Sequence, residues 1–69
     1  MKLSARNQFP GTVVSVKKGP TSTSVKIEIA SGLHITSIIT TEAATELKLK
    51  KGSKAVAIIK APSVILGVG

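Results

Sequence analysis

The sequence predicts an all-β fold: five strands curled into one small barrel, with one short helix between the third and fourth strands. Three observations predict it. Valine, isoleucine and threonine, which suit a pleated, half-buried surface, dominate the 69-residue chain. Apolar and polar residues alternate with period two over "SVKIEIAS" (24–31). Only one stretch, "TTEAATELKL" (40–49), carries helical signals.

The first strand is read at "TVVSVKK" (12–18), and "GPTSTS" (19–24) is a turn or loop. In the second strand Val25, Ile27 and Ile29 share one face, with Lys26 and Glu28 on the other. Ser31 and Gly32 form a short turn signal, so strands two and three make a hairpin. The third strand, "LHITSIIT" (33–40), sets Leu33, Ile35, Ser37 and Ile39 on one face and His34 on the opposite, exposed one. In the helix Thr41 is the capping residue, Glu42 complements the positive end of the dipole, and Ala43, Ala44 and Leu47 form the apolar strip. Lys50, Lys51 and Gly52 end it, and "LKLKKGSK" (47–54) is a solvated helix end and turn. "SKAVAIIKA" (53–61) and "SVILGVG" (63–69) are strands four and five, both so apolar that each is expected to be covered on two faces. The order β-β-β-α-β-β is that of an OB-type barrel. The last strand carries more apolar surface than one small barrel hides, which implies a contact between subunits.

A chain of 69 residues makes a single domain, 1–69. At this size folding buries only about 60% of the unfolded chain's surface, so small domains usually add a staple. There is no cysteine for a disulfide or a thiolate metal site, and one histidine with three acidic residues makes no metal cage. Self-association remains. Polar "SARNQ" replaces the apolar core of a secretory signal, and no apolar run approaches the ~20 residues of a membrane span. The expectation is a soluble, cytoplasmic protein with no membrane partner. The net charge of +7 favours an anionic partner.

Two donor clusters stand far apart in sequence. Near the start, Ser4, Arg6 and Asn7 offer a hydroxyl, a guanidinium and an amide; near the end, Lys60, Ala61 and Ser63 flank Pro62. Thr36 and Ser37 add hydroxyls in the third strand. The glutamates, at 28, 42 and 46, lie outside these segments. Brought together, such segments form a pocket of donors without carboxylates. A fully deprotonated tetrahedral oxyanion offers only acceptors, so it matches this pocket. Phosphate near neutral pH often keeps a proton, which would go unpaired there at a cost of roughly 1–3 kcal/mol.

"SARNQ" (4–8), "ITSII" (35–39) and "IKAPSV" (59–64) together resemble the molbindin (Mop) family of molybdate-binding, TOBE-type domains, over nearly the whole chain. The resemblance implies an OB-like barrel and a homohexamer built as a trimer of dimers. It implies molybdate or tungstate bound at subunit interfaces for storage or buffering. The ligand would be held without direct protein–metal coordination and without an organic cofactor. It assigns the oxyanion site to Ser4, Ala5, Arg6, Asn7, Thr36, Ser37, Lys60, Ala61 and Ser63, with Ala5, Asn7 and Ala61 acting through backbone groups. Phe9 and Pro10 replace the leucine and lysine that usually follow "SARNQ", and Pro62 offers no N–H.

Two rival readings use the same features. A basic OB-type nucleic-acid binder fits the charge and the element order, but such domains stack bases on aromatic side chains, and this chain has only Phe9. A purely structural oligomerisation module needs no ligand. Residue by residue, Arg6 also reads as a plain exposed arginine, Asn7 as a turn cap, Thr36 and Ser37 as ordinary strand residues, and Lys60 as a solvated edge lysine. Phe9 reads as a packing residue. No Ser–His–Asp pattern, paired carboxylates or Gly-rich phosphate loop points to an enzyme.

Overall fold

The computed structural model describes residues 2–69. Its elements are β1 (Asn7–Lys18), β2 (Ser22–Ala30), β3 (Leu33–Thr40), α1 (Thr41–Glu46), β4 (Lys54–Ile59) and a 3-10 turn, Ala61–Ser63. The strands form one antiparallel sheet in the order β3-β2-β1-β4. The fold is therefore all-β with one short helix in the expected place. Among the described residues the sheet has four strands where five were expected. Among the described residues, nothing beyond Ser63 pairs into the sheet, and Ile65, Leu66 and Val68 lie in the open. A strand exists by virtue of a hydrogen-bonded neighbour, and apolar content alone does not supply one.

β1 is longer than its residue types predict. It starts at Asn7, five positions before the expected residue 12, and absorbs Pro10 and Gly11. Its first half pairs with β4, from Asn7↔Ile59 to Thr12↔Lys54, and its second half pairs with β2 from Thr12↔Glu28 onward. Pro10 thus falls where β1 has β4 but not β2 beside it, a position where a missing N–H is tolerated. At the handover the register shifts between Val13 and Ser15, leaving Val14 unmatched as a bulge that bends the strand. The bend lets one strand serve both halves of a curled sheet. Val13 anchors it: its N–H donates to the Ser53 carbonyl (2.8 Å), its carbonyl accepts from the Gly52 N–H (2.8 Å), and its side chain is buried.

The hairpin of β2 and β3 turns at Ser31 and Gly32 as expected, with Gly32 in the left-handed region (φ +74°). Val25 and Ile27 of β2 pack with Val13 and Ala57 as the buried core, flanked by half-buried Ile35, Ile39 and Phe9. Phe9 is thus a packing residue, as expected. β4 alternates rather than being covered on both faces: Ala57 is buried, whereas Val56 and Ile58 are exposed in the single chain.

The helix differs from expectation at both ends. Its cap is Thr40, whose Oγ1 accepts from the Ala43 N–H (3.0 Å); Thr41 is the first helical residue. The Thr41 hydroxyl donates instead to the Gly19 carbonyl (2.7 Å). The helix stops at Glu46, short of the end expected at Lys50–Gly52, and both Lys48 (φ 54°) and Gly52 (φ 94°) lie in the left-handed region. Ala44 is buried, Leu47 is exposed, and Leu49 packs on the core after the helix has ended.

Candidate anion-binding site

β1 begins at Asn7 and β4 ends at Ile59, and these two residues are direct antiparallel partners. Opposed residues stand about 5 Å apart. Residues 4–7 therefore enter the sheet beside the point where residues 60–63 leave it. Continuing the register one step outward sets Arg6 opposite Lys60. Both are exposed, and among the described residues neither forms an ion pair. The glutamates lie on β2 and α1, away from both segments in the chain. Two cations side by side without a counter-charge repel each other, and an anion between them relieves that repulsion.

Each segment is shaped by a local bond. Gln8 Nε2 donates to the Ala5 carbonyl (2.8 Å) and closes the bend that leads into β1. At the other end the Ser63 N–H donates to the Lys60 carbonyl (2.8 Å) and the Val64 N–H to the Ala61 carbonyl (3.2 Å). Pro62 sits in the first turn of this 3-10 segment, where its fixed φ suits the turn and no donor is wasted. The turn uses neither the Ala61 N–H nor the Ser63 hydroxyl. Among the described residues, the hydrogen bonds within the chain also leave the side chains of Ser4, Arg6, Asn7 and Lys60 unused.

Thr36 and Ser37 are placed apart from this cluster. They belong to β3, at the opposite edge of the sheet from β4, and pair with Lys26 and Val25. Ser37 shares the inward face with Ile35 and Ile39, whereas Thr36 is exposed. The curl of the sheet nevertheless turns β3 toward β4, so that Thr36, Ser37, Ile58 and Ile59 line one groove. The structure thus joins residues 4–7 to residues 60–63 within one chain and leaves the β3 hydroxyls across a groove. His34 is exposed, with Nε2 3.7 Å from Glu28 Oε2. Among the described residues no group of three or more His, Cys, Asp or Glu is placed to hold a metal ion. Gln8 is the residue that sequence reading passed over; its role depends on a bend that no periodicity announces.

A model of the TOBE domain matches residues 3–66. Over 68 residues the chain is 47% identical to a probable molybdenum-pterin-binding protein of Haemophilus influenzae, covering 99% of each. The chain belongs to the molbindin (Mop) family of TOBE domains. Family members also occur inside longer proteins. The molybdenum transport protein ModE of Herbaspirillum seropedicae is 47% identical over 66 residues; the match takes in 96% of this chain and 24% of ModE. A crystal structure of the cytoplasmic molybdate-binding protein ModG with molybdate bound superposes with a TM-score of 0.95 at 46% identity, covering all of this chain and 49% of ModG. In this molbindin, no described helix is long and apolar enough to cross a membrane.

Proposed function

We propose that this chain binds molybdate, and tungstate interchangeably, as a donor-only site for an oxyanion, and serves to store or buffer it in the cytoplasm. The observation that carries the reading is the pairing of Asn7 with Ile59, which sets the guanidinium segment beside the Lys60 segment with no glutamate in either. The names and bound ligand of its relatives support the same chemistry. Arg6 and Lys60 supply charge; Ser4 and Ser63 supply hydroxyls; Ala5, Asn7 and Ala61 contribute backbone groups. Thr36 and Ser37 complete the shell from across the groove or from a neighbouring chain. Sites of this kind sit at subunit interfaces of a homohexamer, a trimer of dimers.

The ligand is the bare oxyanion rather than a pterin conjugate. A pterin ring needs a flat apolar face to stack on, and the one aromatic side chain, Phe9, is packed against the core. The same lack disfavours single-stranded nucleic acid as a partner.

Isothermal titration with sodium molybdate tests the reading. Binding is expected in the wild type, and Arg6→Ala or Lys60→Ala is expected to weaken it by roughly 1.5–3 kcal/mol, the range for hydrogen bonds to charged groups. No heat with molybdate, or unchanged affinity in both variants, refutes the assignment.

A further inference from the structure

The two segments of the candidate site differ in what occupies their carbonyl oxygens. In residues 60–63 the backbone does it: the Lys60 and Ala61 carbonyls accept from the Ser63 and Val64 N–H groups. In residues 4–7 a side chain does it. Gln8 Nε2 donates to the Ala5 carbonyl at 2.8 Å. Among the described residues this is the one side-chain hydrogen bond that touches either segment. Gln8 pairs with Ile58 in the ladder that sets Asn7 opposite Ile59. Alternate residues of a strand share a face, so Gln8 stands on the face of Arg6 and Lys60. The Gln8 amide is exposed, and water would satisfy it equally well. What the bond adds is a fixed orientation of the Ala5–Arg6 peptide. A trans peptide is planar, and its C=O and N–H point in opposite directions. Gln8 draws the Ala5 carbonyl to its own side, so the Arg6 N–H is held to the other. Among the described residues that N–H has no partner within the chain.

We propose that Gln8 is a positioning residue that sets the specificity of the oxyanion site: it locks the Ala5–Arg6 peptide so that the N–H is offered to the ligand and the carbonyl is withheld. This rests on the oxyanion reading above and adds the device that rejects a competitor. Molybdate and sulfate near neutral pH are acceptors only, whereas phosphate often keeps a proton and seeks an acceptor. Without the Gln8 bond the peptide can turn over, because the dihedrals on either side of it are soft. Turning exchanges the N–H for the carbonyl. An acceptor-only ligand then loses a donor and meets a lone pair, while phosphate finds a partner for its O–H. A bond that merely stiffened the bend would act on all three anions alike.

The test is titration calorimetry with molybdate at neutral pH, with sulfate and phosphate read by competition against it. Gln8→Met keeps the length of the side chain and has no N–H. It is expected to bind molybdate and sulfate roughly tenfold more weakly, the loss of one hydrogen bond to a charged group. The ratio of molybdate to phosphate affinity is expected to fall by at least as much, and the ratio of molybdate to sulfate to stay where it was. Gln8→Lys keeps a donor within reach of the Ala5 carbonyl. Its added charge acts on all three anions in the same direction, and the molybdate-to-phosphate ratio is expected to return toward the wild-type value. Should circular dichroism show that Gln8→Met has lost its fold, Gln8→Asn, whose amide stops one carbon short, carries the same expectation. A folded variant that loses all three anions equally, or none, overturns the role of Gln8 and leaves the oxyanion site standing. A wild type that binds no molybdate overturns both.

Discussion

Thr41 shows how one hydroxyl settles several groups. Its single proton goes to the Gly19 carbonyl at 2.7 Å, so the 2.8 Å contact between Thr23 Oγ1 and Thr41 Oγ1 is donated by Thr23. Thr23 is fully buried and has this one side-chain partner. Thr41→Val therefore strands a buried donor and is expected to cost about 1–3 kcal/mol. Thr23→Val leaves the Thr41–Gly19 bond in place and is expected to cost less, about 0.5–1.5 kcal/mol. Urea unfolding of the two variants measures the difference; equal losses would show that the donor order is wrong. The same commitment explains why Thr40, whose hydroxyl is free of this network, became the helix cap. Both threonines are legible in the sequence as capping candidates. The choice between them depends on Gly19 and Thr23, which lie about twenty residues away in the chain.

At the scale of elements, β1 carries the architecture, because it pairs with β4 through its first half and with β2 through its second. Gly11 stands at the changeover, with the β2 backbone close against it. A Cβ there would lie 2.5 Å from the Glu28 carbonyl oxygen and 2.7 Å from Ile27 Cγ2. Backbone cannot swing away as a flexible side chain can, so Gly11→Ala is expected to lose about 1–3 kcal/mol through forced separation of β1 and β2. Thermal unfolding checks it, and a variant as stable as the wild type would mean that the crossing is looser than described. This early part of β1 was hidden in the sequence because "NQFPG" has the composition of a turn. Pairing with β4 overrides that local preference. The same pairing brings the two donor segments together, so the site and the unforeseen part of the strand have one cause.

For the whole molecule the governing facts are a small core, a large positive charge and apolar surface left outside. A ligand that binds only the folded state stabilises it by mass action, by about 2.7 kcal/mol when its free concentration is a hundred times the Kd. Molybdate at that level is expected to raise the melting temperature of the wild type and to do so less for Arg6→Ala. A structural oligomerisation module without a site predicts no shift in either. Calorimetric melting with and without molybdate decides between them.

What could be read from residue order alone was whatever depends on near neighbours. The period-two alternation placed β2 and β3, the threonine- and alanine-rich run placed the helix, and the confinement of glutamate to three positions left both donor segments without acid. The folded chain decided what depends on distant partners: that Asn7 meets Ile59, that Thr40 caps, and that the apolar residues after Ser63 lie outside the sheet. The division follows from the physics. Propensity and periodicity are local, but a hydrogen-bond ladder, a cap in competition and the closing of a sheet each require a second stretch of chain to arrive.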